Sequence, residues 1–168
     1  MIVVINDKTQ YNAIIRWGIF IPIVIFLFIL AVDFGSTFFY FGLVILLVLI
    51  WSAWYMFATK LIIKATNEGV LYQLKPFQKK ELFIPFGNMS EMDLEATDFL
   101  TKFGGWGKRQ KAQEVAYVFN DGIFLKIKTN ERTFYFSLSD DKKQEWKKFI
   151  ADRKAKSIDF MSFDINVG

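Results

Sequence analysis

Residues 17–58 read WGIFIPIVIFLFILAV-DFGST-FFYFGLVILLVLIWSAWYMFA: two uncharged apolar runs, 17–32 and 38–58, separated by five turn-like residues. A helix rises ~1.5 Å per residue and must cross ~30 Å of hydrocarbon. The second run has that length. The first reaches it if the helix begins near Ile14, with Arg16 snorkelling to the headgroups. Pro22 falls early enough to bend the start of this helix without breaking the span. Two expected spans, 14–32 and 38–58, therefore form a membrane hairpin within an N-terminal segment of residues 1–59.

A cleaved signal peptide fits the first run less well. The stretch before it carries Asp7, no small-x-small site follows, and a second apolar run comes at once. Orientation follows from the flanking cations. The loop between the runs has only Asp33, whereas Lys8 and Arg16 precede the hairpin and Lys60 and Lys64 follow it. Both termini are expected in the cytoplasm. Trp17, Trp51, Trp54 and Tyr55 would form a belt on that side, with residues 38–41 marking the other.

The rest of the chain is charged and alternating. Neither cysteine nor histidine occurs among the 168 residues. That removes disulfides and thiolate sites, along with the commonest general base and metal ligand. No cofactor or metal is expected. The net charge of +4 suggests contact with anionic headgroups, and is too diffuse for nucleic acid.

Strands are expected at 60–65 (KLIIKA) and 70–74 (VLYQL) around the turn Thr66-Asn67-Glu68-Gly69. Others follow at 81–86, where Pro85 implies an edge or bulge, at 89–99, and at 115–119. Asn120-Asp121-Gly122 reads as a hairpin turn into 123–129, and Asn130-Glu131-Arg132 as a turn into 133–138. Residues 101–111 read as a loop. Ser139-Asp140-Asp141 supplies N-cap oxygens for an amphipathic helix of about four turns carrying Trp146, Phe149 and Ile150. Six or seven antiparallel strands plugged by one C-terminal helix give an α+β domain over 60–156, in the layout of a pleckstrin-homology-like (PH-like) β-barrel. The tail, 157–168, alternates Phe163, Ile165 and Val167, as an edge strand or as disorder.

The string Phe103-Gly104-Gly105-Trp106-Gly107-Lys108-Arg109 resembles the Tyr/Phe-Gly-Gly-Trp-Gly-Ile-Arg signature of bacterial membrane proteins that join a two-helix hairpin to a PH-like domain. The turns at 66–70 and 120–123 sit where that family has its own. Lys108 departs from an often apolar position, and Tyr135-Phe136-Ser137-Leu138 from a glycine-threonine strand ending. The resemblance implies the fold and a bacterial inner membrane, and supplies no activity.

Three constellations carry possible chemistry. Gly104, Gly105, Trp106 and Gly107, with Lys102, Lys108, Arg109 and Lys111, could hold phosphate or carboxylate, or form a bulged turn with Trp106 packed over the sheet. Lys75, Lys79 and Lys80 around Pro76 and Phe77 could meet anionic lipid, or simply be a solvated loop. Glu91, Asp93, Glu95 and Asp98 are the main carboxylate cluster, and a solvated strand face is favoured over a cation site.

The expected function is a non-enzymatic interaction module on the membrane, binding a protein segment or lipid headgroups. Lys75, Lys79, Lys80, Lys102, Trp106, Lys108 and Arg109 are its candidate residues. The lipid bilayer, a protein or a second copy are its partners. The alternative makes the hairpin a subunit of an oligomeric transporter or channel, with Gly42, Ser52 and Ala53 offering helix contacts. A membrane-bound enzyme is the remaining option, and the lack of His and Cys weighs against it.

Overall fold

The structure is a computed structural model, and describes residues 1–32, 35, 37–120 and 122–164. Two long apolar helical segments are followed by a sheet-rich domain of two sheets that do not close on one another.

The first apolar segment is helix α1 (Ala13–Gly18) followed by α2 (Phe20–Val32). The break at Ile19 has a local cause. Pro22 has no N–H to give the carbonyl of Gly18, four residues back, and its ring crowds that carbonyl. The second segment is α3 (Thr37–Ala58). Ile23, Leu30, Leu46 and Ala53 form the seam between α2 and α3. Gly42 lets them approach, because a Cβ there would lie 2.6 Å from Leu30 Cδ2. The Ser52 hydroxyl donates to the Val48 carbonyl. Gly42 and Ala53 thus serve contacts inside the hairpin. Both segments are long and apolar enough to cross a membrane, and only 6% and 11% of their apolar windows are buried. They are therefore not core helices of the described chain.

The N-terminal stretch differs from its expected place in the anchor. Residues Val3–Thr9 form strand β1, paired antiparallel with β2 (Lys60–Thr66). Ile5, Asp7 and Thr9 point inward, while Val4, Asn6 and Lys8 face out. The sheet thus joins residues on either side of the hairpin. It continues with β3 (Gly69–Lys75) and β4 (Leu82–Pro85) in the order β1-β2-β3-β4. The turn at 66–69 and the edge position of Pro85 are as expected.

The second sheet contains β5 (Met89–Thr97), β6 (Gly107–Lys111), β7 (Glu114–Val118), β8 (Gly122–Thr129) and β9 (Thr133–Ser137), in the order β5-β8-β9-β7-β6. With nine strands among the described residues, the count exceeds the expected six or seven. Nor is the sheet wholly antiparallel, since β7 runs parallel to β9. The expected hairpin at 120–122 does not pair its neighbours, because β9 lies between β7 and β8. Phe136 enters the main core and Tyr135 a second cluster on the opposite face, so β9 is apolar on both sides and takes a central position. The short turn after β8 then brings β9 alongside it as expected.

Helix α4 (Phe99–Phe103) occupies part of the expected loop, and Asp98 caps it by accepting from Thr101 N–H at 3.3 Å. Helix α5 (Lys143–Asp164) runs 22 residues, well past the expected end at 156. No glycine or proline stands between 143 and 164 to stop it. Residues 157–164 are therefore helix rather than an edge strand, and the expectation for 165–168 lies outside the described residues. Trp146 and Ile150 bury α5 against a core of Leu61, Ile63, Tyr72, Tyr117, Leu125, Ile127 and Phe136.

Asp7 ties these parts together. Its carboxylate is fully buried and accepts from the Ser139 hydroxyl (2.6 Å), the Ser139 N–H and the Trp146 indole N–H (3.1 Å). Ser139, whose side-chain oxygen was expected to cap α5, thus donates its hydroxyl and N–H to a carboxylate from β1 instead. Thr9 donates to the Ser137 carbonyl, and Asn12 N–H to that of Phe119. These bonds stitch the end of β1 to the second sheet.

Candidate functional site

The glycine-rich string folds as a tight turn from α4 into β6. Gly104, Gly105 and Gly107 all have positive φ (+71°, +136° and +91°), where a side chain would be strained. The backbone freedom read from the string is used at three of its positions. Trp106, half-buried, packs against both cores, so the tryptophan has the structural role as well.

After Gly107, the exposed side chains of Lys108 and Arg109 lie on the edge strand β6. A cleft of about 570 Å³ opens beside them. Trp106, Gly107, Lys108 and Arg109 line one side, Tyr55 and Thr59 from the end of α3 another, and Phe77 and Gln78 a third. Tyr11, just before α1, and Phe119 complete it, their rings 4.8 Å apart edge to face. The cleft therefore sits where both apolar segments meet the domain. Burial and the neighbouring Tyr55 push the Tyr11 phenol up, with Arg109 opposing, so it stays a neutral hydroxyl at ordinary pH.

The loop between β3 and β4 reaches the same corner. Lys60, just beyond α3, pairs with Lys75, the last residue of β3. Gln78 accepts from Leu74 N–H at 2.7 Å, and Gln73 donates to the Gln78 carbonyl at 2.9 Å. With its backbone closed in this way, the loop holds Phe77 against Tyr55, ring centroids 5.2 Å apart. Phe77 remains 52% exposed. Lys75 at the end of β3, and Lys79 and Lys80 on the loop, are exposed and do not line the cleft. Arg16, at the start of the first apolar segment, turns back to Gln10 at 3.0 Å and stacks over Phe57 at 5.7 Å.

Lys102 does not join this group. It reaches Glu95 at 3.6 Å and lies over the Tyr135 ring at 4.6 Å. The Tyr135 phenol is pushed up to about 12, mainly by burial and by the nearby Glu114. The expected solvated carboxylate face on β5 is also matched by cations. Glu91 and Glu95 face Lys126, and Asp93 meets Lys154 at 3.0 Å. The Lys154 hydrogen bond holds the Asp93 carboxyl below its ordinary value. Among the described residues no group of acidic side chains is arranged for a metal.

The structure thus joins two of the basic segments read from the sequence and separates Lys102 from them. Tyr11, Tyr55, Thr59 and Gln78 were missed as site residues. Tyr55 carried a signal as an interfacial aromatic, whereas Tyr11 is found only through the pairing of β1. Compared with protein-family models, curated proteins and solved structures, the chain matches none.

Proposed function

We propose that this protein is a non-enzymatic interaction module, held in a bacterial inner membrane by α1–α2 and α3, whose PH-like cytoplasmic domain presents a basic, aromatic corner to anionic lipid headgroups. The observation that carries the reading is the convergence of Trp106, Lys108, Arg109 and Phe77 on the end of α3. A corner built against the last turn of a membrane helix lies at headgroup depth. Each cation near an anionic surface contributes ~1 kcal/mol, and a tethered domain needs only weak contacts to be oriented. The β1–β2 ladder supports both flanks of the hairpin being on one side of the membrane. It also weighs against cleavage after the first helix, which would remove β1 and Asp7. The exposed Trp17, Trp51 and Trp54 fit an interfacial belt on that side.

The test is amide hydrogen exchange on the full chain in nanodiscs. Exchange in β6 and residues 75–80 is expected to slow in phosphatidylglycerol relative to phosphatidylcholine. The difference should vanish when Lys79, Lys80, Lys108 and Arg109 are all changed to Glu. Equal exchange in the two lipids would overturn the headgroup reading and direct the search to a protein segment.

A further inference from the structure

We infer that the cleft beside β6 is a discrete site for one anionic glycerophospholipid of the host bilayer, with its phosphate between Lys108, Arg109 and the Tyr11 and Tyr55 hydroxyls. This rests on the reading above, in which the corner faces the membrane. It goes further by assigning a single bound lipid rather than a charged surface.

Two glycines of the string each make room for one phosphate-reading group. A Cβ on Gly105 would lie 2.7 Å from Arg109 Nη2, so the guanidinium packs over a bare backbone. A Cβ on Gly107 would lie 3.2 Å from the Tyr11 hydroxyl. The string thus places a guanidinium and a neutral phenol on one cleft. Guanidinium and hydroxyl donors suit a phosphate diester, which offers only acceptors. Beside Thr59 and Gln78, the remaining wall carries four large apolar side chains: Leu74, Phe77, Trp106 and Phe119. A free phosphate would leave that wall wet, whereas glycerol and the first acyl carbons would cover it. At about 570 Å³ the cleft is within the ~300–1,000 Å³ range of sites that enclose a small molecule. One side is the end of α3, so a lipid can enter from the bilayer with its chains alongside the helix. An acidic peptide would match the charge but would have to displace lipid from that same side.

The test uses the full chain in nanodiscs of equal parts phosphatidylcholine and phosphatidylglycerol, released into native mass spectrometry. One retained phosphatidylglycerol per chain is expected. Tyr11→Phe with Tyr55→Phe keeps every charge and ring, and Arg109→Gln alters an exposed side chain. Either variant should reduce retention at least about tenfold, as loss of hydrogen bonds to a charged group implies. Lys79→Glu with Lys80→Glu lies off the cleft and should retain the lipid, while weakening the exchange difference described above. Adducts of both lipids in a graded series, or retention unaffected in the Tyr and Arg variants, would overturn the single-lipid site. If the exchange difference survived that result, the surface reading would stand alone. Displacement of the lipid by inorganic phosphate would make the ligand a soluble phosphate compound and would also overturn the proposal.

Discussion

Replacing Asp7 by Ala is expected to lower the stability of the domain by about 3 kcal/mol or more. Removing the carboxylate leaves the fully buried Trp146 indole N–H, and the N–H and hydroxyl of half-buried Ser139, without the acceptor they share. Leaving buried donors unpaired costs more than the net value of the bonds themselves. The damage spreads because Asp7 is the point at which β1, the end of β9 and α5 meet. For a domain of this size the loss is a fall in Tm of about 10 °C or more, read by near-ultraviolet circular dichroism in mild detergent. Asp7→Asn should fall between, since its amide can still accept from Ser139 but turns a donor toward one of these N–H groups. A Tm for Asp7→Ala within a degree or so of the parent would remove Asp7 from its structural role.

The same residue sets a pH dependence. Burial pushes the Asp7 carboxyl above its ordinary value, and the bonds from Ser139 and Trp146 only partly oppose this. The folded state therefore holds the proton more tightly than the unfolded state does. Stability from this group is fully present below the unfolded pKa of about 4, and falls as pH rises through the folded pKa. Above that range the buried charge is a standing cost, which Asp7→Asn should abolish from the pH profile.

Gly69→Ala is the second large effect, expected to cost about 2–4 kcal/mol. Gly69 does not need a positive φ. It needs the absence of a side chain, because a Cβ there would lie 2.3 Å from the Ile84 carbonyl and 2.7 Å from the Phe83 ring. Phe83 could turn aside, but the carbonyl belongs to the β3–β4 backbone pair. The strand must move, and with it Ile84, which β4 contributes to the main core. Gly87→Ala is the control: nothing lies within 4 Å of a Cβ at that position. Its Tm should stay near that of the parent, while Gly69→Ala loses about 10 °C. Equal effects at the two glycines would contradict the close approach of β3 and β4.

Much of the architecture was legible where one residue type carries one physical constraint. Uncharged runs gave the two helical segments, Pro22 the bend in the first, the turn at 66–69 gave β2 and β3 on either side of it, and alternation gave β5, β8 and β9. What was hidden depends on partners far along the chain. Residues 3–9 alternate apolar and polar, but nothing local says that they pair with residues beyond the hairpin. Strand β6 reads GKRQK, with no apolar alternation, because it is an exposed edge held by one neighbour. The Asp-Gly turn at 121–122 pointed to a local hairpin, and the two-faced apolar character of β9 took the place beside β7 instead. At the site, the glycine string and the cations were visible from composition. Their position beside Tyr11 and Tyr55 was not, because it follows from β1 and from the fold of the 75–80 loop. Lys102 shows the converse: a cation near the string in sequence is spent on Glu95 and Tyr135.

The central claim, that the basic and aromatic corner faces the bilayer, can be measured by depth. The chain has no cysteine, so one spin label can be introduced at a time without background. Labels at Phe77→Cys and Lys108→Cys should sit at headgroup depth in anionic bilayers, with reduced collision with a water-soluble nickel chelate. A label at Glu131→Cys, in the β8–β9 turn beside Pro85 and Asn88 and away from the Lys60–Lys75 end of the sheet, should read as water. If all three labels met the chelate equally, the corner would lie away from the membrane and the account would be wrong.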